Sequence, residues 1–222
     1  MMTVLHFIFY DIAVQVCLPA EAALRLKLAF PDFVAPTSHD PKILIEFEES
    51  RSSWAYSRQL GDGLFLNLVS RHHLKIFLES GSPLDPSLIA YLYLHSLLGA
   101  ELESRGWMRI HAAGFHSGQQ IVLLYGAPGS GKSTWSQRIL EQGSWKLLGD
   151  EVTWIDPAHR WRPFPQSIRL KTTPRSFISI PRERQAEPSS AGCVFVQLTR
   201  SKDHNMTLSS IHFFARLRLI FL

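Results

Sequence analysis

Lys132 and Ser133 close the stretch Gly126-Ala127-Pro128-Gly129-Ser130-Gly131-Lys132-Ser133, which has the Walker A spacing G-x-x-x-x-G-K-[ST]. The spacing serves one kind of chemistry. Glycines let the backbone curl so that successive N–H groups converge on phosphate oxygens, and a helix opening near Gly131 would add the positive end of its dipole. Lys132 would set a point charge against the β- and γ-phosphates of a nucleotide such as ATP. The Ser133 hydroxyl would be a ligand of the Mg²⁺ that bridges them. Ala127, Pro128, Ser130 and Thr134 complete the cradle, Pro128 without an N–H of its own. Phosphoryl transfer also needs a carboxylate for the metal and a base for the proton of the attacking hydroxyl. Asp150 and Glu151 follow Lys132 by 18 and 19 positions, the length of one helix and one strand, and are the candidates for both tasks. Two adjacent acids resist ionising together without a cation, which would leave one with a raised pKa suited to proton transfer.

The elements that must position these residues are legible around them. The apolar run Ile121-Val122-Leu123-Leu124-Tyr125 reads as the strand that delivers the loop, and Thr134 to Glu141 as the helix that leaves it, with Gly143 at its end. Trp145-Lys146-Leu147-Leu148 reads as a buried strand that ends at the acidic pair, and residues 152–155 as another strand. Upstream, residues 108–115 and 120–124 flank Ser117-Gly118 as a hairpin, so a strand bearing His111 would lie beside the strand into the loop. Asp85 and Pro86 open a helix with leucines at 88, 92, 94, 97, 98 and 102, closed by Gly106. His95 on that helix reads as a packed histidine. Earlier still, Ile12, Val14, Val16 and Leu18 alternate as a strand, residues 20–30 form a short helix stopped by Pro31, and Ile43, Ile45 and Phe47 alternate again. Residues 54–60 and 64–68 flank Gly61-Asp62-Gly63 as a hairpin, and residues 74–78 add a strand. The expectation is a small antiparallel, β-rich region over 1–80 and a nucleotide-binding α/β domain over 81–222. Val194, Val196 and Leu198 give that domain one more strand after a polar linker at 181–192.

Composition sets limits. With 222 residues, 45% hydrophobic and 19% charged, the chain is long enough to bury a core and is neither disordered nor fibrous in character. Its net charge of +4 does not by itself call for nucleic acid, because a polyphosphate site also gathers Lys and Arg. Arg160, Arg162, Arg169, Lys171 and Arg175 form a basic run that reads as a solvated or phosphate-facing loop, with no nucleic-acid partner required. Within it Arg169 lies between Ile168 and Leu170 on a short strand, where its guanidinium could grip a nucleotide or acceptor phosphate. Cys17 and Cys193, the two cysteines, have no zinc spacing and no disulfide framework, which fits a reducing cytoplasm. Residues 1–10 are apolar but follow no Lys or Arg and stop at Asp11, so neither a signal peptide nor a membrane span is expected.

The pieces Ile110-His111-Ala112-Ala113, the strand into 126–134, and Leu147-Leu148-Gly149-Asp150-Glu151-Val152 together resemble the HPr kinase/phosphorylase family over about residues 110–170. That family shares its P-loop core with ATP-dependent phosphoenolpyruvate carboxykinase. The resemblance implies Asp150 as general base, Glu151 as metal ligand, Lys132 on the phosphates, and His111 contacting the transferred phosphate or tuning Asp150. Glu151 stands where the family has Asp, and the signature of the reverse, phosphorolytic reaction is missing after Ile155. Residues 163–170 instead look like the related proteins of ribosomal peptide maturation clusters, which implies transfer to a serine of a peptide or small protein. Relatives continue past the strand at Val194, so a domain truncated at its C-terminus is compatible with the resemblance, as is a homo-oligomer. Two other readings stand beside it. A nucleoside monophosphate or small-molecule kinase would start at its phosphate loop, whereas about 125 residues precede this one, and it would run into helix after the Asp. A nucleotide-sensing module without transfer activity would bind ATP and show no turnover with a peptide acceptor.

Overall fold

The computed structural model describes residues 1–37, 40–49, 58–164, 167–170, 176–178, 180, 182–200 and 206–214. The chain divides into two units, Met1–Leu102 and Glu103–Leu222. Its class is mixed α/β, with several sheets and few helices. No described helix is long and apolar enough to cross a membrane.

In the first unit, β1 (Met2–Phe9) and β2 (Ile12–Pro19) form an antiparallel hairpin whose tight turn holds Tyr10 at φ 60°. Ile12, Val14, Val16 and Leu18 are buried, as their alternation requires. The apolar opening is therefore a strand. Pro19, whose φ of −55° suits a helix entry, leads into α1 (Ala20–Ala29), and Pro31 prevents its continuation. There follow β3 (Val34–Ala35) beside β1, β4 (Ile43–Glu48), β5 (Arg58–Gly61), β6 (Leu64–Ser70) and β7 (His73–Leu78). The seven strands lie in the order β3-β1-β2-β4-β7-β6-β5. An antiparallel sheet was the expectation, but β2 pairs with β4 and β4 with β7 in parallel. For β2 and β4 the cause is the return of the chain through α1, which lets β4 start at the same end as β2. Of the hairpin expected around residues 61–63, its beginning at residues 54–57 lies outside the described residues.

Helix α2 (Pro86–Ser104) carries the boundary between the units to residue 102 rather than 80. Its start is capped as the sequence suggests, with Asp85 Oδ1 accepting from the Ser87 N–H at 2.9 Å and the Ser87 hydroxyl at 2.7 Å. Tyr91 stacks on Phe30, and His95 packs against both rings. Near the helix end the buried Glu101 carboxylate binds His72 Nε2 at 2.6 Å and Arg71 at 3.3 Å, both in the turn between β6 and β7. These contacts tie most of α2 to the first sheet.

The second unit contains β8 (Met108–Ile110), β9 (Ala113–His116), β10 (Ile121–Tyr125), α3 (Lys132–Glu141), β11 (Lys146–Gly149), β12 (Thr153–Ile155), β13 (Trp161–Arg162), β14 (Ile168–Leu170), β15 (Ser176–Ile178), β16 (Cys193–Arg200) and β17 (Met206–Phe214). Its main sheet has the order β11-β9-β10-β16-β17, and a three-stranded sheet has the order β13-β12-β8. Leu124, Leu147, Phe115 and Val196 face one side with Trp135, Ile139 and Leu140 of α3 packed on them. Leu123, Leu148, Ile121 and Cys193 face the other side, against Ile155 and Trp161 of the small sheet. Three layers result: helix, main sheet, small sheet. The expected tail at 211–222 is described only to Phe214, as the end of β17.

Candidate functional site

The glycine loop leaves β10 and enters α3, as its neighbours in the sequence require. Gly129 and Gly131 hold φ of 83° and 91°, a region costly to residues with a Cβ. A Cβ on Gly126 would lie 2.5 Å from the Leu198 carbonyl oxygen of β16 and 2.7 Å from Ser130 Oγ, so only glycine fits there. The Trp135 N–H donates to the Gly131 carbonyl at 3.0 Å and starts the helix. The N–H groups ahead of it have no partner within the helix and are disposed to receive an anion. Lys132 Nζ donates to the carbonyls of Gly126 at 2.7 Å and Ala127 at 3.4 Å, across the mouth of its own loop. Ser130 is buried, and its Oγ makes no hydrogen bond.

Asp150 and Glu151 arrive by a different route. β10 and β11 both run antiparallel to β9, which lies between them, so they point the same way and end at the same edge of the sheet. Leu124 is level with Ala113, and Gly149 with Gly114, which sets the start of the glycine loop and the acidic pair on either side of β9. Beyond that edge the chain changes sheets twice. Residues 111–112 carry it from β8 to β9, and residues 150–152 from β11 to β12, while β8 and β12 pair with each other. The two crossings face one another in a ribbon whose register is the same on both sides: Ile110 opposes Thr153, and four residues later Gly114 opposes Gly149. The Thr153 hydroxyl stitches the gap by donating to the Ala112 carbonyl at 3.0 Å. Gly149 is the pivot. A Cβ there would lie 2.1 Å from the Val152 carbonyl oxygen, so the turn that presents Asp150 and Glu151 can close only on glycine.

His111, Asp150 and Glu151 thus share the interruption of one ribbon. His111 is not on a strand, as the sequence suggested, but in the crossing ahead of β9, where it is exposed. The Asp150 side chain goes inward. It is 1% exposed, and its Oδ2 accepts from Ser133 at 3.0 Å while its Oδ1 accepts from Ser136 at 2.7 Å. Burial pushes the Asp150 carboxyl above the usual carboxylate range; Glu151 acts in the same direction, and the two serine hydroxyls and Lys132 oppose it without prevailing. Glu151, the next residue, is half-buried.

Ser136 is the participant that the sequence reading missed. A signal for it exists, because it follows Ser133 by three residues and so shares its face of the helix. Arg169 lies on β14, which neighbours α3, but its side chain lies outside the described residues, as do Lys171 and Arg175. Arg160 and Arg162 are committed elsewhere, to Asp156 at 2.9 and 3.5 Å.

Mg²⁺ held with a nucleotide takes oxygen ligands and needs no cage of protein carboxylates. Ser133 and Asp150 supply such oxygens at the first turn of α3, and the described residues contain no group of three His, Cys, Asp or Glu that could hold a metal alone. No protein-family model matches the chain, and no curated protein matches it in sequence.

Proposed function

We propose that the second unit is a P-loop domain of the HPr kinase/phosphoenolpyruvate carboxykinase type that binds ATP with Mg²⁺ and transfers the γ-phosphoryl group to a hydroxyl. The observation that carries this reading is the bond from Ser133, in the first turn after the glycine loop, to the buried carboxylate of Asp150. A serine and an acidic residue placed in this way are what P-loop enzymes use to hold a nucleotide's metal. The acceptor class, a serine of a peptide or small protein, rests on the sequence resemblance alone.

The geometry favours assigning the two acids in the reverse of the order the resemblance implies. Both oxygens of Asp150 are engaged by hydroxyls of α3, and the side chain is enclosed, so it is poorly placed to meet an incoming acceptor. We therefore assign Asp150, with Ser133, to the metal, and Glu151 to the proton. Mg²⁺, when bound, would neutralise charge on the β- and γ-phosphates. Lys132 would exchange the Gly126 carbonyl for phosphate oxygen, and the N–H groups of the loop would bind the rest of the chain of phosphates. Transfer breaks the bond between the γ-phosphorus and the β–γ bridging oxygen and forms one to the acceptor oxygen. ADP leaves, and the acceptor's proton passes to Glu151. His111, exposed at the same crossing, would contact the transferred group, as the resemblance implies.

Calorimetry with ATP and Mg²⁺, followed by transfer assays from labelled ATP to a panel of serine-containing peptides, tests the reading. Lys132→Ala should abolish nucleotide binding. Glu151→Gln should keep binding and lose about 10²- to 10⁴-fold in transfer. Unchanged ATP affinity in Lys132→Ala would overturn the site. Tight binding by the wild type with no transfer to any acceptor would replace the kinase by a nucleotide-sensing module.

A further inference from the structure

Ser136 is wholly buried on α3, and a serine inside a helix ordinarily returns its proton to a carbonyl of the preceding turn. Here it donates to Asp150 Oδ1 instead, at 2.7 Å, while Ser133, three residues earlier on the same face, donates to Oδ2 at 3.0 Å. One carboxylate is therefore held by two hydroxyls from one helix. The two bonds are not equivalent. Ser133 lies at the mouth of the glycine loop and is half-buried, whereas Ser136 lies one turn deeper with no access to a ligand. A hydroxyl has one proton and two lone pairs, so Ser133 can keep its proton on Oδ2 and still offer an oxygen to a cation. Ser136 can offer a cation nothing.

We infer that Ser136 is a positioning residue for the divalent cation, fixing the plane of the Asp150 carboxylate so that Oδ2 stays on Ser133 and the pair presents a preformed set of oxygens to the metal of the nucleotide complex. The inference rests on the proposed nucleotide site and adds to it a residue that touches neither metal nor nucleotide. Without Ser136, the buried Oδ1 has no donor from α3, and the carboxylate is free to turn about its last bond. Groups that orient metal ligands in this way commonly account for about 10- to 100-fold in metal affinity.

The test separates metal-dependent from metal-independent binding. ATP affinity is measured by calorimetry for the wild type and Ser136→Ala, once in EDTA and once across a Mg²⁺ titration, with Mn²⁺ binding in the presence of ATP followed by electron paramagnetic resonance. Ser136→Ala removes a single oxygen and leaves the packing volume nearly unchanged; its affinity in EDTA also reports whether the loop is folded. The expected result is equal affinity in EDTA and a Mg²⁺ requirement raised about 10-fold or more in the variant. Equal Mg²⁺ and Mn²⁺ dependence in the two proteins would overturn the inference and leave the nucleotide site standing. Loss of affinity in EDTA to the same extent as in Mg²⁺ would also overturn it, making Ser136 a packing residue. A wild type whose ATP binding ignores divalent cations would remove the proposed function along with it.

Discussion

Asp156 gives a test of the physical reasoning that is independent of any ligand. Its carboxylate, 4% exposed, closes the turn after β12 by accepting from the N–H groups of Ala158 at 3.0 Å and Arg160 at 2.9 Å. It also holds Arg160 Nε at 3.0 Å and pairs with Arg162 at 3.5 Å. Replacing it with alanine removes both backbone acceptors at about 1 kcal/mol each. The ion pair with the half-exposed Arg160 adds about 1 kcal/mol at most, because solvent screens it. The sum is about 3 kcal/mol, or a fall in Tm of about 12 °C at roughly 4 °C per kcal/mol. Asp156→Asn keeps an oxygen for the two N–H groups but puts an NH2 where Oδ2 accepts from Arg160 and Arg162, so it loses the ion pair and should fall by about a third as much. Thermal melts followed by circular dichroism at neutral pH read both. The pH dependence has a defined sign. Burial pushes the Asp156 carboxyl up, but the Arg160 N–H and guanidinium and the Ala158 N–H outweigh it and hold the pKa below the ordinary 3.8. The folded state then binds the proton more weakly than the unfolded one, so the contribution is complete above 3.8 and is lost as pH falls through the folded value. The wild type and Asp156→Asn should converge as pH drops below that range. An Asp156→Ala protein melting within about 3 °C of the wild type would refute the assignment of this turn to its carboxylate.

Two further substitutions probe other links. Gly149→Ala would place a methyl group 2.1 Å from the Val152 carbonyl oxygen, and should cost about 2 kcal/mol or more in thermal melts while weakening Mg²⁺-dependent ATP binding; a variant equal to the wild type in both would show that the turn tolerates a side chain. Asp85→Ala removes the two bonds to Ser87 and should cost about 1 kcal/mol as a lost helix cap, with the exposed Arg25 pair adding little; a cost above about 3 kcal/mol in denaturant titration would mean the residue does more than cap α2.

What could be read from the sequence depended on whether the signal was local. β2 was legible because Ile12, Val14, Val16 and Leu18 alternate over one buried face, and α2 because Asp85-Pro86 is a helix start in itself. The glycine loop, its strand and its helix were legible for the same reason. β1 was not, because Val4 and Ile8 put apolar residues on its exposed side and erase the alternation. The parallel pairing of β2 with β4 is a matter of topology, and nothing in either strand distinguishes it from the antiparallel case. Residues 108–115 read as one strand because the break at His111-Ala112 is imposed by its partner crossing at 150–152, forty residues away. The environments of the two acids were equally non-local: Asp150 and Glu151 are neighbours in the sequence, and the approach of Ser133 and Ser136 to Asp150 separates them.

The turn joining β9 to β10 has a practical consequence. Ser117 and Gln120 close it through their own backbone and the Ser117 hydroxyl, Gly118 sits at its tip with φ of 90°, and all of residues 117–120 are exposed. It lies at the far end of the strands that carry the glycine loop, about 15 Å away for strands of this length. Foreign sequence spliced in at Gly118 would enter a hairpin whose register is already set by its flanking strands, with no catalytic candidate nearby. The position suits a fluorescent label or an affinity tag. A dye attached there would sit on the same rigid strand pair as the candidate site and could follow nucleotide binding without occupying it.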